Sequence, residues 1–256
     1  MLENAVLDGT RMAEQWHTFQ VWHSGAVGYV QPFMPDDLSQ YIPQDILDVY
    51  EVHNFRHAAE LLASAYRSDF DELLQALRVF RLTEDNILKA GGNESEIPKK
   101  LSKLLRPNGW FETQISADLI VTLEAHAVPD ENSKPSKVKR YETIERFFDG
   151  HKIDYVKNRV AFDLEWNSKD QTFDRDLYAF RTFYECGAIG AAVLLTRSAE
   201  LNGTFERLGV EVKKKYGAST TWMGKLLPRL KAGRSGGCPV LALGITPRVI
   251  VNKEDS

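Results

Sequence analysis

The stretch His151-Lys-Ile-Asp-Tyr-Val-Lys-Asn-Arg-Val-Ala-Phe-Asp-Leu-Glu-Trp166 decides how the chain is to be read. His151 to Val156 reads as a short strand, Lys157-Asn-Arg159 as a turn and Val160 to Trp166 as a second strand, together a hairpin. Side chains alternate along a strand, so Asp163, Glu165 and Asn167 share one face. Phe162, Leu164 and Trp166 share the other, which is expected to bury beneath the helix that follows. The two carboxylates then stand about 6 to 7 Å apart at the backbone, and Asp154 on the neighbouring strand can be brought opposite them.

Downstream, Phe173, Leu177, Phe180 and Tyr184 fall on one stripe, which predicts a helix from about Thr172 to Glu185 with Asp174, Arg175, Asp176 and Arg181 facing elsewhere. Ala188 to Leu195 reads as a buried strand. A strand, a helix and a strand in that order imply a parallel crossover, so the fold class is α/β, a central sheet flanked by helices. A further helix near Thr220 to Leu230, containing Pro228, leads through a Gly-rich turn to the strand Pro239 to Ile245. Upstream, Trp110 to Ala127 has strand character and Pro129 to Lys139 is a polar surface connection. Asp45 to Ala90 shows helical periodicity broken at Ser68-Asp69, and reads as two helices. The expected organisation is a mainly helical region over 1–100 that packs on or elaborates a core over 101–256.

The chain has 256 residues, 43% hydrophobic and 27% charged, enough to bury a core without disulfides. Its longest apolar runs fall far short of the roughly 20 residues of a membrane helix, and its acidic N-terminus lacks the pattern of a signal peptide. A cytoplasmic protein with no membrane partner is expected. Cys186 and Cys238 form no CxxC pair and read as reduced, structural thiols. The net charge of −4 is not that of a protein that coats nucleic acid, yet basic groups confined to a cleft remain compatible with it. Three basic clusters are candidates: Lys137, Lys139 and Arg140; Lys213 to Lys215; and Arg229, Lys231 and Arg234.

Three acids in a small space repel one another and take up protons unless a cation compensates them. Hard oxygen donors suit Mg2+, which binds one or two carboxylates and fills its remaining positions with water and substrate phosphate. In that scheme Asp154 and Asp163 hold the ion while Glu165 orients or deprotonates a water. The same alternation also fits an amphipathic hairpin whose acidic face is only solvated.

The run Ile153 to Trp166 resembles the catalytic hairpin of the BglII and BstYI restriction enzymes, in which an Asp is followed nine positions later by an acid, one spacer and Gln. The chain departs from that pattern with Asp at 163 and Glu at 165. Glu165 is similar to the acid-x-acid ending of the related BamHI site, whereas most nucleases of the superfamily carry Lys there. Asn108-Gly-Trp-Phe-Glu-Thr113 and the segment Leu226 to Pro247 resemble further parts of BstYI, so the likeness spans about residues 100 to 247. It implies a restriction-endonuclease-like core with a mixed sheet, a homodimer, Mg2+, and cleavage of duplex DNA at a short palindrome with a GATC core. It also implies base contacts from Asn167, Ser168 and Lys169 after the catalytic strand and from Ser219 and Thr220 before the late helix. Asn can pair with adenine, Lys with guanine and hydroxyls with several base edges, although each is equally a common turn or cap residue.

His53 and His57, four apart on an expected helix, lack the third ligand and the Glu of a zinc motif. Gly233 to Gly237 lacks the Lys-Ser/Thr ending of a phosphate loop, so no nucleotide cofactor is expected. The five tryptophans read as core or interface residues. A repair or methylation-sensing nuclease, a catalytically inactive DNA-binding relative and a carboxylate-pair glycosidase stay open as alternatives.

Overall fold

The computed structural model describes residues 37–89, 96–126 and 137–252. Along the chain these form α1 (Gln44–Leu47), β1 (Tyr50–Phe55), α2 (Ala58–Ala65), α3 (Arg67–Val79), α4 (Glu84–Leu88), α5 (Glu96–Leu105), β2 (Phe111–His126), β3 (Lys137–Lys157) and β4 (Val160–Glu165). There follow α6 (Thr172–Glu185), β5 (Ala191–Arg197), α7 (Leu201–Arg207), α8 (Val210–Lys215), α9 (Met223–Lys231) and β6 (Val240–Ile245). The strands make one mixed sheet in the order β1-β6-β5-β4-β3-β2. β4, β5 and β6 run parallel, as the crossover through α6 requires, and β1, β2 and β3 are antiparallel to their neighbours.

The parallel strands are nearly continuous apolar runs because helices cover both faces. Phe162, Leu164, Val193, Leu195, Leu241 and Leu243 pack on one face with Leu62, Phe70, Leu73 and Leu101 of the N-terminal helices and with Phe205 of α7. Ala161, Ala192, Leu194 and Ala242 face the opposite way, against Phe173, Leu177 and Phe180 of α6 and Leu226 and Leu230 of α9. Burying each such large side chain contributes about 1.5 to 3 kcal/mol.

Two sequence expectations are corrected here. α6 matches the expected helix, but Phe162, Leu164 and Trp166 lie under the N-terminal helices and the α7–α8 region rather than beneath α6. The helix covers the acid-bearing face instead. Likewise His53 and His57 do not share a helix: His53 is in β1 and His57 is the residue before α2, with φ of 57°. A strand therefore interrupts the helical region, and its Tyr50–Phe55 segment pairs with β6 at the sheet edge. Six residues give too short a period to stand out between two helices.

β3 pairs with β4 only over Tyr155–Lys157, and the rest of its length forms a two-stranded ribbon with β2. Lys137 to Lys139, expected in a surface connection, are part of that ribbon. Its register shifts near Arg146 and Gly150, both at positive φ, where extra residues bulge out of the ladder. No helix among the described residues is long and apolar enough to cross a membrane, and both cysteines are free, Cys186 exposed and Cys238 buried.

Candidate active site

The two-residue turn Asn158-Arg159, with Lys157 just before it, sets the geometry of the hairpin. Asn158 takes a left-handed conformation with φ of 50°, tolerable for Asn and favoured where a chain reverses in two residues. Its amide Nδ2 donates to Asp69 Oδ1 of α3 at 2.8 Å, and Lys157 Nζ donates to Glu72 Oε2 at 2.6 Å. Glu72 also accepts from the indole Nε1 of the fully buried Trp110 at 3.0 Å. Helix α3 thereby clamps the turn, and the register Tyr155 opposite Phe162 carries Asp154 to the side of Asp163. The Asp154 backbone N–H reaches Asp163 Oδ1 at 3.3 Å.

All six residues of β4 are buried, among them Asp163 and Glu165, while Asp154 is exposed on β3. The strand end is pinned by Thr196, whose hydroxyl donates to the Glu165 carbonyl at 2.7 Å. A fourth acid joins the three expected from sequence. Asp176 of α6 is 1% exposed and its carboxyl lies within hydrogen-bonding reach of Glu165, which corrects the expectation that it faces away. The signal was present: Asp176 stands three residues after Phe173 and four before Phe180, on the stripe that turns inward. Arg175 accompanies it, its Nε and Nη2 donating to Asp176 Oδ1 at 3.1 and 2.9 Å and its Nη2 lying 3.7 Å from Glu165 Oε1.

Crowding of acids away from water shows in their protonation. Burial, followed by the charges of Asp154 and Asp176, raises the Asp163 carboxyl well above the ordinary carboxylate range. Glu165 is pushed up to about 8, first by burial and then by Asp176, against the pull of the Ser168 hydroxyl and of Arg175. Burial pushes Asp176 up to about 6, with Arg175 holding it down. Glu165 Oε2 and Asp176 Oδ2 are buried with no hydrogen-bond partner, so they call for a proton or a cation.

Among the described residues no three His, Cys, Asp or Glu side chains are arranged to hold a metal ion by themselves. The donor set nevertheless fits a small hard cation. Asp154 and Asp163 offer oxygen from adjacent strands, and such an ion needs only one or two carboxylates when water and phosphate complete its shell.

The expected base-reading segments come together at the same end of the sheet. Lys169 and Thr220 form an isolated antiparallel bridge, Asp170 N donates to the Ser219 carbonyl at 3.0 Å and Thr221 N to the Ser168 carbonyl at 2.9 Å. Ser168, Lys169 and Ser219 are exposed, and Asn167 and Thr220 are half-buried. The Thr220 hydroxyl donates to Gly217 O at 2.7 Å and accepts from Arg197 Nη2, so it is engaged inside the protein. Of the basic clusters, Arg229 and Arg234 both pair with Asp174, and Lys137 and Lys139 with Glu124.

A mixed sheet flanked by helices, with paired acids on a central strand and polar loops at that strand's C-terminal end, defines the class as a restriction-endonuclease-like nuclease core. The model of the family Restriction endonuclease BglII/BglIII matches residues 50–245, and the chain belongs to that family. The match runs from the first residue of β1 to the last of β6, and so reaches farther toward the N-terminus than the motifs legible in the sequence. No curated protein matches the chain. The protein is a type II site-specific deoxyribonuclease acting on duplex DNA, and enzymes of this kind generally use divalent metal ions.

Proposed function

We propose that the protein hydrolyses both strands of a short palindrome with a GATC core, as a homodimer in the cytoplasm, with Mg2+ as its metal. The observation that carries this reading is the meeting of Asp154, Asp163 and Glu165 at the hairpin, beside the joined segments 167–169 and 219–220. Asp154 and Asp163 would hold the ion, which when bound polarises the phosphodiester and lowers the barrier to attack by water. Glu165 holds and orients the water, and its carboxylate form can take the water's proton. Asn167, Ser168, Lys169 and Ser219 present polar groups to the major groove, while Thr220 shapes the loop that carries them. Two-fold symmetry of the dimer matches that of a palindrome, which is the physical argument for two copies.

The test is cleavage of a sequenced genome followed by reading of the fragment ends. Specific ends with Mg2+ or Mn2+, binding without turnover in Ca2+, and a dimeric mass by light scattering with cognate duplex are expected. Robust cleavage in EDTA would overturn the metal assignment, and fragment ends outside GATC palindromes would overturn the site.

A further inference from the structure

We propose that Arg175 is a catalytic residue that contacts the scissile phosphate, and that Asp176 is its positioning residue; this rests on the active site described above. A phosphodiester brought to Asp154, Asp163, Glu165 and Asp176 adds an anion to four carboxyl groups, and charge builds further on the phosphoryl oxygens as water attacks. The guanidinium of Arg175 is a fixed cation at that place, within 4 Å of Glu165 and Asp176.

Its mounting separates it from an ordinary surface pair. Asp176 is 1% exposed, whereas the Arg175 side chain is 69% exposed, so the carboxylate is an anchor in the floor and the arginine stands at the mouth. Nε and Nη2 are both held on Asp176 Oδ1. A guanidinium has five N–H donors in a planar fork; the anchoring uses one on Nε and one on Nη2, and the remaining Nη1–Nη2 edge is the fork that takes a phosphate in bidentate fashion. The helix α6 covers the acid-bearing face of β4 through Phe173, Leu177 and Phe180, and that packing fixes the base of the arginine relative to Glu165. In the step served, the water oxygen bonds to phosphorus as one ester P–O bond breaks. The water's proton passes to Glu165, and the departing alkoxide takes a proton from solvent. Arg175 exchanges no proton and stabilises the charge on the phosphoryl oxygens.

The experiment compares Arg175→Ala, Arg175→Lys, Asp176→Asn and Arg175→Met/Asp176→Asn with the unmodified dimer and with Asp154→Asn. Single-turnover cleavage of a cognate duplex in Mg2+, duplex affinity in Ca2+ and thermal unfolding are measured. Removing one preorganised donor typically costs about 10²- to 10³-fold in rate, and that loss is expected for Arg175→Ala with duplex affinity in Ca2+ changed less than about tenfold. Millimolar guanidinium should restore part of the Arg175→Ala rate and none of the Asp154→Asn rate. Asp176→Asn should also slow cleavage, and the double variant should be hardly slower than Arg175→Ala because both act through one guanidinium. Cleavage by Arg175→Ala within about threefold of the unmodified rate overturns the proposal, as does a slow variant that guanidinium does not rescue while the double variant is active. Full cleavage by Asp154→Asn overturns the underlying site reading instead, so the two failures are distinguishable.

Discussion

Replacing Arg197 by Met tests whether the tertiary ties beneath the loops proposed to read bases hold them in place. Arg197 ends β5 and is 1% exposed. Its Nε donates to the carbonyls of Trp166 at 2.8 Å and Thr221 at 3.0 Å, its Nη1 to that of Tyr216 at 3.4 Å, and its Nη2 to the Thr220 hydroxyl. The rings of Tyr216, Phe205 and Trp166 surround the guanidinium carbon at 5.2, 5.5 and 6.0 Å. Burial lowers the group to about 10, so at neutral pH it is still a cation. Methionine fills most of the volume but leaves two well-bonded carbonyls facing apolar surroundings, each costing about 1 to 3 kcal/mol. Relief of the buried charge offsets part of this. The net expectation is a loss of about 3 kcal/mol, which for a domain of this size lowers Tm by about 6 to 12 °C. Urea unfolding followed by tryptophan fluorescence measures the loss, and hydrogen exchange at Thr220 and Thr221 locates it. Stability within about 0.5 kcal/mol of the unmodified protein, with unchanged protection at Thr221, would show that the carbonyls find other partners and that Arg197 does not hold these loops.

Protonation gives a second prediction: Glu165 is raised in the folded protein to about 8 from an ordinary 4.5, so its contribution is full below pH 4.5 and lost as pH rises through about 8. In EDTA the unfolding free energy should therefore fall across that window, and Glu165→Gln should flatten the profile; an equally steep profile in that variant would count against it. Among single-turnover rates, Glu165→Gln should keep measurable cleavage, since an amide can still orient water, while Glu165→Ala should have essentially none. Equal rates for Glu165→Ala and the unmodified enzyme would remove Glu165 from the mechanism. Finally, Glu72→Ala frees the turn at Lys157 and leaves the buried Trp110 Nε1 without its acceptor. A loss of about 2 kcal/mol is expected in urea unfolding, together with slower cleavage, and an unchanged midpoint would show that α3 does not clamp the hairpin.

The hairpin that carries the proposed catalytic acids was legible in the sequence because strand alternation is a local rule: the period of two alone puts Asp163 and Glu165 on one face, while the register that sets Asp154 beside them came with the pairing of Tyr155 and Phe162. The same holds for α6, whose bounds follow from the spacing of Phe173, Leu177 and Phe180. Local rules do not say which layer a face meets. It is the packing of the whole fold that lays α6 over the acids and the N-terminal helices over Phe162 and Leu164, and that arrangement brings Asp176 and Arg175 to Glu165. Strand β1 was hidden for a related reason, since a six-residue edge strand gains its hydrogen bonds from β6, nearly two hundred residues away. So too for Lys169 and Thr220, joined by a bridge that neither segment specifies. Periodicities a few residues long were enough to place the acids of the strand on one face. The structure decided its surroundings, because packing and burial depend on residues that are distant in the chain and close in space.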